Sequence, residues 1–273
     1  LISPIVEACP TEKKEAAMSL LHSFYCWGHV GVVLLSTLFF QMFGIVNWKA
    51  LACVWAVVPL INAVYFCMVP LYPIAGGHEE MSVKGLLRQK AFWVFVVLMI
   101  GAGASEQGMS QWASTFAESA LGVSKTVGDL AGPCAFAVFM GTARALYGKY
   151  SDKIPLRKMM VGSACLCIVC YLVAAFSKSP VAGLIGCAVC GFSVGIFWPG
   201  TFSLAAVKLP AAGTAMYAFM ALAGDVGCSA GPTVVGMAAN VMDGDLKKGL
   251  LAGLMFPIMI LVGMAVLREK TAK

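Results

Sequence analysis

Eight long, mostly apolar runs with few charges divide this chain, at about 18–42, 48–70, 91–117, 127–148, 158–177, 180–203, 212–240 and 248–267. Each is long enough for a helix to cross a bilayer, which takes about 20 residues. Inside hydrocarbon no water satisfies the backbone, so only helices or closed barrels span it. These runs are too long and too evenly apolar for barrel strands, which alternate over about ten residues. Composition agrees. The chain is 60% hydrophobic and 12% charged, against about 25% charged for a soluble domain. The expected fold class is an all-α membrane protein.

The basic residues sort between the connectors. If the run near residue 18 leaves the cytoplasm, one side holds Lys13, Lys14, Lys84, Arg88, Lys90, Arg144, Lys149, Lys153, Arg157, Lys158, Lys208, Arg268, Lys270 and Lys273. The other holds Lys49, Lys125, Lys178, Lys247 and Lys248. Lys and Arg are retained in the cytoplasm, so the richer side is read as cytoplasmic and the C-terminus with it. The formal charge of +6 therefore describes topology, and no nucleic-acid partner is read from it.

Several chemistries find no support. The spacings Cys167/Cys170 and Cys187/Cys190 suggest metal ligands, but they lie in apolar runs without His or carboxylate neighbours. They are read as small buried hydrophobes, and no cofactor or metal is expected. Around "GVSKT" (122–126), Ser124 and, upstream, Ser119 stand where a phosphate-binding loop requires Gly. No H-E-x-x-H occurs to suggest a membrane-embedded enzyme.

The longest polar connector, residues 73–90, separates an early group of helices (1–72) from six later ones (91–273). Two groups joined this way suggest a two-part transporter. "LISPIVEA" reads as the end of a helix whose beginning is absent, so a fragment lacking about three and a half helices is expected. Gly191/Gly195 and Gly227/Gly231 carry the G-x-x-x-G spacing of close helix contacts. Pro59, Pro133, Pro199, Pro232 and Pro257 fall within spans, where they kink or break helices. Ordinary packing and hinged motion both fit.

Charge inside a span is costly and calls for a reason. In the third run, Gly103, Glu106, Gln107, Ser110, Gln111 and Ser114 share one helical stripe, expected to face a wet cavity or else a polar helix contact. Trp112, just off the stripe, could stack on a ligand. Asp225 either lines a path or packs structurally, with Arg144 a possible partner. His22, Cys26 and His29 share a face beside Tyr25, fit to bind substrate or to hydrogen-bond within the bundle. Trp198 suits a ligand contact or a membrane interface.

"YGKYSDKIPLRK" resembles the cytoplasmic loop signature G-x-x-x-D-[RK]-x-G-x-[RK]-[RK] of the major facilitator superfamily. Gly148, Asp152, Lys153, Arg157 and Lys158 match, and Pro155 replaces the second Gly. The resemblance implies a loop between the second and third helices of a six-helix half. It also implies that Asp152, Lys153 and Arg157 latch the cytoplasmic side. "LLHSFYCWG" and "EQGMSQW" look like the fucose-permease branch, which moves sugars with protons. Its titrating carboxylates would lie in the absent helices.

The expected protein is thus a monomeric secondary transporter in a bacterial inner membrane, taking a small polar, sugar-like solute with a proton or other coupling ion. An inactive truncated fragment is the alternative.

Overall fold

The structure, a computed structural model, describes residues 2–70 and 81–267. They form helices α1 (Ser3–Ala8), α2 (Lys14–Phe43), α3 (Ile45–Met68), α4 (Val83–Leu87), α5 (Lys90–Ser119), α6 (Lys125–Tyr150), α7 (Leu156–Phe176), α8 (Pro180–Lys208), α9 (Gly213–Val241) and α10 (Leu246–Val266). Eight are long and apolar enough to cross a membrane. Their ends agree with the apolar runs to within a few residues, and α8 runs furthest past its run, to Lys208. The expected C-terminal side concerns residues outside the described ones, as do residues 71–80 of the long connector.

The described part of that connector is not merely a linker. Ser82 caps α4 by accepting a hydrogen bond from the Gly85 amide, and Leu86 is buried against the bundle. The Met81 amide donates to the Ala211 carbonyl at 2.7 Å, fastening the segment beside α9. A Ser N-cap followed by a leucine with a burial site explains why a short helix forms in so polar a stretch.

Helices α5–α10 pack around one core of Phe, Met, Leu and Ala side chains. Backbone meets backbone where glycines leave room. A Cβ on Gly103 would lie 2.2 Å from the Gly224 carbonyl oxygen, and one on Gly227 would lie 2.2 Å from that of Ile100. These contacts lock α5 to α9 with no side chain between them. Gly191 does the same between α8 and α6, where a Cβ would lie 2.1 Å from the Phe136 carbonyl.

Prolines act unevenly. Pro133 sits in a π-helical turn, Leu130–Cys134, of α6. Turns break α8 just before Phe197 and α10 at Leu254, each shortly ahead of a proline, Pro199 and Pro257. Pro59 and Pro232 lie inside continuous helix.

Helix α2 lies along α6, and α3 touches α2 while leaving nearly all its apolar side chains exposed. Exposed Val, Leu and Ile are expected where the solvent is lipid.

Candidate solute-binding site

Proline chemistry begins the site. In α8 the Gly195 carbonyl would normally accept from the amide four residues on, but that residue is Pro199 and has no N–H. Arg144 of α6 supplies the missing donor, its Nε lying 2.8 Å from the Gly195 oxygen. Its other nitrogens reach the His22 carbonyl (2.8 Å) and the Cys26 sulfur (3.1 Å) on α2, and the Glu106 carboxylate (3.3 Å) on α5. One guanidinium therefore ties four helices together. Its planar fork makes this possible where an ammonium could not.

Arg144 is 2% exposed and Glu106 4%. An ion pair this dry loses hydration that its own attraction barely restores. The Tyr25 ring lies 5.9 Å below the guanidinium and adds a cation–π contact.

A cavity of about 210 Å³ opens beside the pair. His22 and Tyr25 of α2, Glu106 of α5, Arg144 of α6, Trp198 of α8, and Asp225 and Cys228 of α9 line it. Tyr25 also borders a second, more open cleft with His29 and Gln107. The His29 Nδ1 atom has no hydrogen-bond partner among the described residues.

The expected site residues are thus partly brought together. Glu106, Tyr25, Trp198, Asp225 and Arg144 share the cavity, and Gln107 and His29 share the adjoining cleft. Ser110 is buried without lining either. Gln111 is exposed, at the Gln111–Trp112 turn of α5, although its amide still bonds the Gln107 carbonyl. Trp112 lies away from both clefts, its Nε1 donating to the Pro232 carbonyl at 2.9 Å and its ring packed over Gly236. Gly103 at the stripe's start packs on α9, and Ser114 at its end bonds Asp129.

Arg144 pairs with Glu106, not with Asp225, and lies buried inside α6 instead of in the basic connector. His22, from the His22/Cys26/His29 face, and Cys228, which the sequence did not single out, complete the cavity. The intramembrane position of Arg144, with Pro199 leaving a carbonyl open, is the signal that would have found the hub.

At the basic end, Asp152 pairs with Lys13 of the α1–α2 connector. Lys153 instead sits 5.9 Å over the Tyr150 ring. Arg157 donates to the Met264 and Leu267 carbonyls at the end of α10. The expected cluster of Asp152, Lys153 and Arg157 is therefore divided among three partners. Tyr147 adds a second link to α2, its hydroxyl donating to Glu15 at 2.8 Å.

A bundle of broken apolar helices around a charged internal cavity defines an integral membrane protein of transporter architecture. The chain belongs to the Major Facilitator Superfamily, whose family model matches residues 3–232. Two solved structures share its fold: FucP, a transporter of that superfamily in the outward conformation, and a variant of the E. coli fucose:proton symporter FucP. Each superposes with a TM-score of 0.75, at 13% and 14% identity, covering 98% of this chain and 72% of the other. No curated protein sequence matches the chain.

Proposed function

We propose that the chain is a secondary transporter that carries a small sugar-like solute with protons by alternating access. In this reading α5–α10 form one half and α1–α3 belong to the other, with the basic end facing the cytoplasm of a bacterium. The observation that carries the proposal is the buried Glu106–Arg144 pair on the wall of a cavity. Such a pair is costly to bury, and charge within a span marks function by default. Solute hydroxyls would accept from and donate to these groups, and the Trp198 and Tyr25 rings suit the apolar face of a pyranose. The fold likeness to a fucose:proton symporter supports the sugar and the proton.

The test uses the chain in proteoliposomes with radiolabelled L-fucose, then other hexoses, under an inward acid gradient. Accumulation beyond equilibrium, abolished by a protonophore, is expected. Simple equilibration or exclusion of every sugar overturns the reading. Glu106→Gln keeps shape and hydrogen bonding but cannot ionise. Because Glu106 is assigned to binding, this variant still accumulates solute, with an apparent affinity weaker by about tenfold. Unchanged affinity would remove Glu106 from the site.

A further inference from the structure

A further cleft, of about 240 Å³, opens between α1, α8 and α9. Glu7 of α1, Ala206 of α8, and Gly213, Thr214 and Tyr217 of α9 stand on its wall. Two polar atoms there are unused. Tyr217 is only 5% exposed, yet its hydroxyl has no hydrogen-bond partner among the described residues. The Glu7 Oε2 atom is likewise buried and without a partner. Lys14, at the start of α2, donates to the main-chain carbonyls of Glu7 and Cys9. A hydroxyl buried without a bond is costly, so one on the wall of a cleft calls for an occupant.

The start of α9 adds donors. Its N-cap, Ala212, makes no side-chain cap, so the first-turn amides lack an acceptor, and Gly213 and Thr214 bring that turn to the cleft. Donors therefore stand on α9 and an acceptor, the Glu7 carboxylate, on α1. An anion would suit the helix start but meet the carboxylate. A cation would suit the carboxylate but meet the positive end of the helix dipole. A neutral molecule with several hydroxyls satisfies both walls, since each hydroxyl donates and accepts. The buried Phe202 ring connects this cleft to the solute cavity. It lies 5.5 Å from the Tyr217 ring in the cleft, and 6.2 and 5.8 Å from the Trp198 and His22 rings in the cavity.

We infer that the cleft between α1, α8 and α9 is a second binding site for an uncharged, polyhydroxylated solute, one ring away from the cavity. Glu7 accepts from one solute hydroxyl, while Tyr217 and the first-turn amides of α9 donate to others. The inference deepens the transport reading and rests on it for the passage of solute, though not for the binding itself.

The test uses the purified chain carrying Ala206→Cys, which puts a thiol on the cleft wall. Its alkylation by N-ethylmaleimide is followed by peptide mass spectrometry, with the exposed Cys53 of α3 as internal control. The probes are L-fucose and glycerol. Saturable protection at position 206 by one or both is expected, with Cys53 unaffected. Tyr217→Phe removes only an atom that has no partner, so the fold stands. It is expected to raise the half-protecting concentration about fivefold, the loss of one hydrogen bond. Protection by neither probe, the result if water alone fills the cleft, overturns the inference. So does protection by potassium phosphate in their place. Protection that Glu106→Gln weakens and Tyr217→Phe leaves unchanged comes from the cavity, and it overturns the second site. None of these readings needs a gradient. Protection without sugar accumulation in proteoliposomes overturns the transport reading alone, and accumulation without protection overturns the cleft alone.

Discussion

The contact between α5 and α9 and the contact between α2 and α6 are built on opposite principles. In the first, Gly103, Gly227 and Gly231 bring main chains together, and a methyl added to any of them would strike backbone oxygen, whereas one on Gly224 would strike the Trp198 ring. In the second, polar links recur along the helix: Lys13 to Asp152, Glu15 to Tyr147, Ser19 and His22 to Arg144, and Gln41 to Thr126 at the far end. Close-packed backbones have one arrangement and resist sliding. Hydrogen bonds between side chains can be exchanged for others at small net cost. The α5–α9 contact therefore belongs to a rigid body, and the α2–α6 contact is a seam along which that body can rock. The candidate site sits on the seam.

Substitutions can break this contrast. The largest effect is expected from Arg144→Met, which leaves Glu106 charged and unpaired and reopens the Gly195 carbonyl. Removing one partner of a buried pair costs about 3–5 kcal/mol, seen as a large drop in the thermal midpoint of the detergent-solubilised chain. Adding Glu106→Gln to Arg144→Met should restore part of that loss, because the stranded charge is gone. If the double variant is as unstable as the single, the carbonyl bonds and not the ion pair hold the seam.

Gly227→Val comes next. Its side chain would meet the Ile100 carbonyl, and overpacking of this kind costs about 1–3 kcal/mol. The expected result is a lower midpoint with α5 and α9 displaced. A midpoint unchanged from the parent would show that this contact is looser than its geometry implies.

Asp152→Asn is the mildest. Both partners of the Lys13 pair are largely exposed, and exposed pairs contribute under about 1 kcal/mol. Stability should barely change, while the α2–α6 seam opens more often at its basic end. That split between stability and motion separates a latch from a structural bond.

The spans were legible because lipid leaves one solution to the backbone, and apolar length reveals it. Glu106 was legible for the same reason: a carboxylate within "GAGASEQGMS" has to find company. Its companion was not. Arg144 lies 38 residues away and, counted by charge, joins the basic connector that follows it. Gln111 keeps its helical bond to the Gln107 carbonyl and is nevertheless exposed, and Trp112 turns onto α9, because a shared stripe says which residues are neighbours but not which neighbours a bundle covers. No pattern in one sequence shows which apolar helix a glycine will touch, so the pairing of α5 with α9 had to come from the coordinates.

The rocking seam is tested most directly by pulsed electron paramagnetic resonance on the chain in liposomes. One spin-label pair replaces Glu12 and Lys153 across the basic end of the seam, and another replaces the exposed Val97 and Val226 on α5 and α9. The predicted result is a broad or two-peaked distance distribution for the first pair, shifted to longer distances by Asp152→Asn, beside a single narrow peak for the second. A single narrow peak for both pairs, unmoved by Asp152→Asn, would contradict a mobile α2–α6 seam.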